Sequence, residues 1–192
     1  FPYTTLFRSA AVTGLLLPDA SGWNPRACEA LNVPMRMLPT VVHTSGVFGE
    51  ASALPGSPPL AALVGDQQAS LVGQSCVRPG QAKVTFGTGG MFDMCTGPQA
   101  PRTAARSTNG TFPIVAWSRD GQRTWGCEAI MLSAGTNVEW LVADLGILPD
   151  AAESHTVAAQ CATTDGVMYV PALMGLGTPH WDYGARGTLL GL

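Results

Sequence analysis

The stretch GDQQ at residues 65–68 brings a carboxylate and two amides together directly after an apolar run. The run Leu60–Val64 has the length and composition of a buried strand. Ligands of open α/β sheets bind beyond the carboxyl ends of strands, so Asp66 could accept a proton from a bound hydroxyl. The alternative is structural, because Asp66 could cap a helix that runs from about Gln67 to Cys76. Spacing alone favours the cap.

A second group of candidates lies in the run Phe86-Gly87-Thr88-Gly89-Gly90. Strand-like segments on both sides of this run predict a hairpin. Its glycines would let backbone amides approach a phosphate closely, and Thr88 adds a hydroxyl donor. An ordinary hairpin turn is the alternative. The run departs from the dinucleotide pattern G-x-G-x-x-G because Phe92 occupies the last position, and the sequence contains no G-x-x-x-x-G-K-[ST] phosphate loop.

Gly135 lies near the predicted start of an amphipathic helix that Ser133 caps and Gly146 closes. Apolar residues recur there with helical period at Val138, Leu141, Val142 and Leu145. The free amides of a helix N-terminus bind anions, so this is a candidate anion site. The alternative is a packing glycine where the helix crosses a sheet.

Metal and hydrolase chemistry have little support. His43, His155 and His180 have no metal-ligand spacing, so no residue is predicted to bind a metal. The G-x-S-x-G elbow of serine hydrolases is absent from the sequence.

The remaining pattern predicts a mixed α/β fold in which hairpins are followed by helices. A second hairpin turns at Asp120-Gly121, a helix covers residues 151–162, and GVMYVPAL is a buried strand. Residues 44–59 are rich in Gly, Ser and Pro and are predicted to be a connecting loop.

Composition narrows the class of protein. Apolar residues make up 46% and charged residues 12% of the 192, which suits a buried core. The formal net charge of −3 gives no basic field for nucleic acid or for an anionic membrane surface. Five scattered cysteines without a C-x-x-C pair are typical of reduced core thiols, which predicts a cytoplasmic protein.

Both ends of the chain are unusual. Residues 1–9, FPYTTLFRS, resemble a translated sequencing adaptor and are expected to lie outside the fold. The chain stops within the strand-like run GTLLGL, so we expect an internal fragment of a longer protein that is inactive by itself.

Four segments taken together resemble the FGGY family of carbohydrate kinases, and most closely its glycerol kinases. They are GDQQASLVGQ, PGQAKVTFGTGG, AGTNVEWL and GVMYVPALMGLGTPHWDYGARGTLLGL, in the order and spacing of that family. The resemblance covers residues 12–192 and implies an α/β, actin-like, RNase H-type ATPase fold. It implies that residues 10–77 end a substrate domain and that residues 78–192 begin a nucleotide domain.

The resemblance implies ATP-dependent phosphorylation of a polyol or sugar hydroxyl, with Mg²⁺ bound mainly through the nucleotide. Asp66 would then be the general base, and Gln67 would contact the polyol. Thr88, between Gly87 and Gly89, would lie against the transferred phosphate. The partners implied are a small-molecule substrate and ATP, without nucleic acid or membrane, and a homo-oligomer stays open.

Gly135 would meet the nucleotide phosphates, and Glu139 occupies a position where glycerol kinases carry a nucleotide-contacting Gln. Met91 stands where those enzymes carry a Phe that packs on glycerol. These departures keep a kinase for another sugar, such as a pentulose, as an alternative to glycerol. A third hypothesis is an actin-like nucleotide-binding module without a small-molecule substrate.

Overall fold

The computed structural model describes residues 3–5, 13–102 and 106–192, with backbone only for residues 3–5. Four α-helices are defined there: α1 Pro25–Ala30, α2 Asp66–Gly73, α3 Gly135–Ala143 and α4 Ser154–Ala158. The strands are β1 Tyr3–Thr5, β2 Thr40–Val42, β3 Ala82–Phe86, β4 Gly90–Gly97, β5 Phe112–Arg119, β6 Gln122–Met131, β7 Met168–Val170 and β8 Thr188–Leu190. In the described part of the chain no helix is long and apolar enough to cross a bilayer.

The largest sheet has four strands in the order β3-β4-β6-β5, and the pairs β1-β2 and β7-β8 form two-stranded sheets. Strands β5 and β6 pair antiparallel around the two-residue loop Asp120-Gly121. Both loop residues have positive φ, 50° and 77°, as a type I′ turn requires. The hairpin predicted from the Asp-Gly dipeptide is therefore confirmed.

The chain forms two compact units. The first comprises Phe1–Lys83, Asp93–Arg106 and Phe112–Glu128, and the second comprises Val84–Phe92, Ser107–Thr111 and Ala129–Leu192.

The first unit is built on two small apolar clusters. In one, Leu71 of α2 packs with Cys76 and Ala116, and Trp117 covers them. The other joins Ala20, Val115 and Trp125. Because α2 carries Asp66 at one end and Leu71 on its buried side, the apolar cluster determines where the polar end of this helix lies.

The second unit is held largely by backbone contacts and two aromatic anchors. Trp140 of α3 stacks on Tyr169 of β7, with ring centroids 6.0 Å apart and planes 8° apart. Trp181 donates from its indole N–H to the carbonyl of Gly110, with 2.6 Å between the atoms. Gly177 lies so close to the backbone that a β-carbon there would meet the carbonyl oxygen of Ile130.

The predicted buried strand at Leu60–Val64 is wrong. Residues 59–63 make only isolated bridges and single hydrogen bonds to residues 44–50, which were predicted to be a plain loop. Pro58 and Pro59 have no N–H to extend a ladder, and Val64 is 43% exposed. Asp66 therefore follows an extended, partly solvated segment.

Two predicted elements in the second unit are shorter than expected. The helix predicted at residues 151–162 is a 3₁₀ turn, Ala151–Glu153, followed by the five residues of α4. The strand in GVMYVPAL is only β7, because Pro171 cannot donate the next ladder hydrogen bond. Its burial was also overstated, since Met168 is 63% exposed.

Three of the residues 1–9, which resemble a translated adaptor, form a strand. Strand β1 pairs in parallel with β2, from Tyr3 opposite Thr40 to Thr5 opposite Val42. Residues 1, 2 and 6–9 lie outside the described residues.

Leu71→Ala should destabilise the first unit strongly. The Leu71 side chain is fully buried, so its removal leaves a cavity and is expected to lower the free energy of unfolding by about 2–5 kcal/mol. Val72, the next residue of α2, is 44% exposed, so Val72→Ala should cost less than about 1 kcal/mol. Urea unfolding of the two variants measures both values, and equal losses would contradict the packing described here.

Candidate active site

Asp66 is the first residue of α2 and is exposed. Gly65, with extended backbone, occupies the N-cap position and accepts from the N–H of Ala69. Asp66 Oδ1 accepts from the N–H of Gln67 at 2.9 Å. The structure therefore differs from the predicted cap, in which the helix begins at Gln67, although the carboxylate does bind a first-turn amide. Its other oxygen bonds to none of the described residues and can receive a ligand.

The two glutamines that follow Asp66 point into the first unit. Gln67 is 9% exposed, and its amide oxygen accepts a hydrogen bond from Lys83 Nζ of β3. Gln68 is 1% exposed, and both polar atoms of its side chain lack a hydrogen-bond partner among the described residues. Only Asp66 of the GDQQ motif is therefore presented openly to solvent.

A buried ion pair lies behind Gln67. Lys83 Nζ is 2.8 Å from Asp93 Oδ2 of β4, and both side chains are almost completely inaccessible. Glu128 of β6 is likewise fully buried. Burial, and after it the Asp93 carboxylate, raise the pKa of the Cys127 thiol above its ordinary value. Three ionisable side chains, of Lys83, Asp93 and Glu128, therefore lie in the buried interior of this unit.

The Gly-Thr-Gly reversal forms the predicted hairpin between β3 and β4. The N–H of Gly87 donates to the carbonyl of Gly89 at 2.9 Å and closes the turn. Gly89 packs so tightly that a β-carbon there would lie 2.9 Å from the carbonyl oxygen of Met131. A glycine at this position is therefore a packing requirement.

Helix α3 begins directly on this hairpin. The N–H of Gly135 donates to the Gly87 carbonyl at 2.8 Å, and the N–H of Ala134 donates to the Thr88 carbonyl at 2.9 Å. The Thr136 hydroxyl donates to the same Thr88 carbonyl at 3.2 Å. A β-carbon at Gly135 would lie 2.7 Å from the Gly87 oxygen, so the close approach depends on glycine.

The hydrogen-bond donors that could bind an anion in this region are not the ones predicted from the sequence. The first amides of α3 are occupied by the hairpin carbonyls, so the Gly135 N–H is already paired. Ser133 is fully buried and makes no cap hydrogen bond, and the N-cap residue is Ala134. On the hairpin, the N–H groups of Thr88 and Gly89 and the Thr88 hydroxyl donate to none of the described residues. The free donors thus lie on the hairpin.

The other two predicted site residues, Met91 and Glu139, also lie in the second unit, near the hairpin and α3. Met91 is half-buried and lines an open apolar groove of ≈ 210 Å³ together with Val84, Phe86 and Ile130. Glu139 is exposed on α3, one turn after Gly135. The groove is apolar, so Met91 can offer a substrate only its carbon and sulfur surface.

The predicted residues therefore form two groups. Gly87, Thr88, Gly89 and Gly135 are in hydrogen-bond contact within the second unit. Asp66 and Gln67 are adjacent at the start of α2 in the first unit. Among the described residues, no three His, Cys, Asp or Glu side chains form a group that could hold a metal ion.

The sequence analysis missed Lys83 and Asp93. A signal was available, because each is a charged residue inside a short apolar strand, AKVTF and GMFDMCTG. A charge in such a place is usually paired, and two such charges on consecutive strands indicate each other.

Comparisons with known proteins all point in one direction. The C-terminal domain model of the FGGY family of carbohydrate kinases matches residues 82–192. A glycerol kinase of Shewanella sp. (strain ANA-3) is 41% identical over 186 residues, 96% of this chain and 37% of that relative. One from Desulforamulus reducens is 43% identical over 173 residues, 88% of this chain and 34% of that relative. The chain thus spans little more than a third of the curated relatives it matches.

The fold is matched by solved structures as well. The crystal structure of Plasmodium falciparum glycerol kinase with ADP has a TM-score of 0.83 and 27% identity. That match covers 99% of this chain and 38% of the other.

Cys127 should react slowly with thiol reagents. Only the thiolate reacts, and burial, followed by the Asp93 carboxylate, raises the pKa of the Cys127 thiol above its ordinary value. At pH 8 we therefore expect a disulfide-exchange reagent to modify the exposed Cys161 well before Cys127. The rate at Cys127 should increase as the pH is raised further. Mass spectrometry of timed samples gives both rates, and equal rates at pH 8 would contradict the assignment.

Gly135→Ala should weaken the contact between α3 and the hairpin. Its β-carbon would press against a backbone carbonyl, which cannot turn away as a flexible side chain can. We expect a loss of about 1–3 kcal/mol in the free energy of unfolding, measured with urea. The matched control is Gly73→Ala at the end of α2, where nothing lies within 4 Å of the new carbon. That variant should be neutral or slightly stabilising.

Proposed function

Because the chain belongs to the FGGY family of carbohydrate kinases, we propose that it is part of an enzyme that phosphorylates a small polyol or sugar with ATP. Glycerol is the substrate we favour, with glycerol 3-phosphate as product. The observation that carries the proposal is the exposed carboxylate of Asp66, held by a single amide at the start of α2. The glycerol assignment is supported by relatives that are 41% and 43% identical and are named glycerol kinases.

In the proposed reaction Asp66 acts as the general base. A carboxylate with one oxygen held by the Gln67 N–H and the other open can accept the proton of the attacking hydroxyl. Gln67 contacts the polyol beside it.

The hairpin supplies donors for the transferred phosphoryl group. The Thr88 N–H, the Thr88 hydroxyl and the Gly89 N–H are oriented by a turn whose carbonyls are fixed on α3. Such preorganised donors stabilise negative charge without rearrangement during the reaction. We assign Gly87 and Gly135 to the close backbone approach that nucleotide phosphates need, and Glu139 to the nucleotide end of the site.

The chain's residues fit a phosphate ligand, because the unpaired amides of the hairpin are hydrogen-bond donors. ATP with Mg²⁺, when bound, supplies the γ-phosphoryl group and offsets part of its charge. We propose that Mg²⁺ is held mainly through the nucleotide, as expected for an ion that keeps several waters and substrate oxygens.

The whole enzyme is longer than this chain in our proposal. We place the end of its substrate domain at residues 10–77 and the beginning of its nucleotide domain at residues 78–192. We also propose a cytoplasmic location, supported by five cysteines without a disulfide, although Cys161 is exposed rather than part of the core. Formation of a homo-oligomer is a further proposal.

A second substrate class is favoured by one observation. Met91 lines the apolar groove where glycerol kinases would present a Phe, and a flexible thioether adapts to a different carbon skeleton. A pentulose or another polyol is therefore the alternative to glycerol.

Asp66→Asn should abolish turnover in the full-length enzyme. Asn keeps an oxygen that can accept from the Gln67 N–H but loses the proton acceptor, so the change separates the base from the cap. We expect kcat to fall about 10²–10⁴-fold with the KM for ATP unchanged. The measurement is ATP consumption with glycerol, pentuloses and other polyols offered separately. Asp144→Asn, an exposed acid at the end of α3, is the control and should keep full activity.

The outcomes separate the hypotheses. Turnover on glycerol that is lost in Asp66→Asn supports both assignments, and turnover only on another sugar keeps the kinase and removes glycerol. An Asp66→Asn enzyme with unchanged turnover would leave Asp66 only its structural hydrogen bond to the Gln67 N–H. ATP turnover independent of every substrate would favour the actin-like nucleotide-binding module.

A further inference from the structure

Lys83 is the only lysine of the 192 residues, and its side chain is fully buried. A lysine on a surface keeps its ammonium group hydrated, whereas burial removes that hydration at a cost of several kcal/mol. Such a group persists only where counter-charge and hydrogen-bond acceptors surround it. Here Asp93 Oδ2 lies 2.8 Å from Lys83 Nζ, and the Gln67 amide oxygen accepts from the same nitrogen.

The contact with Lys83 fixes which way the Gln67 amide faces. An ammonium group has three donors and no acceptor, so the amide atom that meets it must be the oxygen. The two ends of a glutamine amide are otherwise interchangeable in shape. Lys83 Nζ is also 2.8 Å from Asp93 Oδ2, so the same nitrogen donates to two oxygens, one of the carboxylate and one of the amide.

The other end of the amide is left for a ligand. The side-chain hydrogen bond of Gln67 to the described residues is the one that its oxygen accepts from Lys83, which leaves Nε2 without an acceptor there, and Gln67 directly follows Asp66 at the start of α2. We propose that the buried pair Lys83–Asp93 is a positioning pair: it holds the oxygen of the Gln67 amide and thereby presents Nε2 to the substrate as a hydrogen-bond donor. This inference rests on the proposed function, in which Gln67 contacts the polyol.

The arrangement has a consequence for the substrate that the site accepts. Asp66 can only accept a hydrogen bond when ionised, and the free end of the Gln67 amide, Nε2, can only donate. The two adjacent residues thus match a substrate with one hydroxyl that gives its proton and a second oxygen that accepts. A carbonyl oxygen satisfies the second position as well as a hydroxyl does, whereas an ammonium group, which has no acceptor, does not.

The test is a double-mutant cycle on substrate affinity in the full-length enzyme. The first change, Lys83→Gln with Asp93→Asn, removes both charges of the pair together and keeps side chains that can hydrogen-bond each other. Gln can donate or accept, so it no longer dictates the orientation of Gln67. The second change, Gln67→Met, keeps the size of the side chain and removes its amide.

We expect each change to raise the KM for the polyol about five- to tenfold, the factor for one neutral hydrogen bond, with the KM for ATP unchanged. When the two are combined, the KM should rise no further, because Lys83 and Asp93 act through Gln67. A pair with a merely structural role would instead give additive effects or change both KM values.

Ser118→Ala serves as the control for a general loss of stability. Ser118 is a fully buried polar residue of the same unit, hydrogen-bonded to the Thr44 backbone and distant in sequence from Gln67. Thermal unfolding is recorded for every variant, and Ser118→Ala should lower the midpoint without changing the KM for the polyol.

The two proposals fail in different ways. Additive effects in an enzyme that phosphorylates a polyol or sugar would overturn the positioning role of Lys83 and Asp93 and leave the proposed function in place. A wild-type enzyme that phosphorylates none of the substrates offered would overturn the proposed function, and with it this inference.

Discussion

The ion pair of Lys83 and Asp93 constrains the first unit more than any other polar contact described in it. A buried ammonium group must keep its carboxylate within a few ångströms, because an isolated charge in that environment would destabilise the fold by several kcal/mol. The pair joins β3 to β4 and reaches Gln67 on α2. Asp66 is the next residue toward the N-terminus and its own contact is a single amide, so its position depends on this polar contact and on the apolar packing of Leu71.

In the second unit the corresponding constraint is that two positions, Gly89 and Gly135, have no β-carbon. Gly89 and Gly135 lie at distances from neighbouring carbonyls that a β-carbon would not allow. Backbone-to-backbone hydrogen bonds can then join the hairpin and α3 directly. Such contacts do not depend on rotamers, so they hold the local geometry more rigidly than side-chain contacts would.

Local signals in the sequence predicted much of the fold and less of the site. Asp120-Gly121 predicted its hairpin because the positive φ angles it needs are a property of those residue types. The strand at Leu60–Val64 was wrong because apolar composition alone cannot tell a core strand from an extended segment between prolines. The occupied N–H of Gly135 could not have been predicted, since its partner, Gly87, is distant in sequence.

The docking of α3 on the hairpin has an electrostatic consequence. The Gly87 carbonyl, which accepts from the Gly135 N–H, belongs to the same peptide group as the free Thr88 N–H. The Thr88 carbonyl, which accepts from the Ala134 N–H, likewise shares its peptide group with the free N–H of Gly89. Two peptide dipoles therefore continue the line of the helix, and each hydrogen bond in such a chain polarises the next. Through this relay the positive end of the α3 dipole is displaced from the helix to the tip of the hairpin, and an anion bound there would strengthen the very bonds that hold the helix.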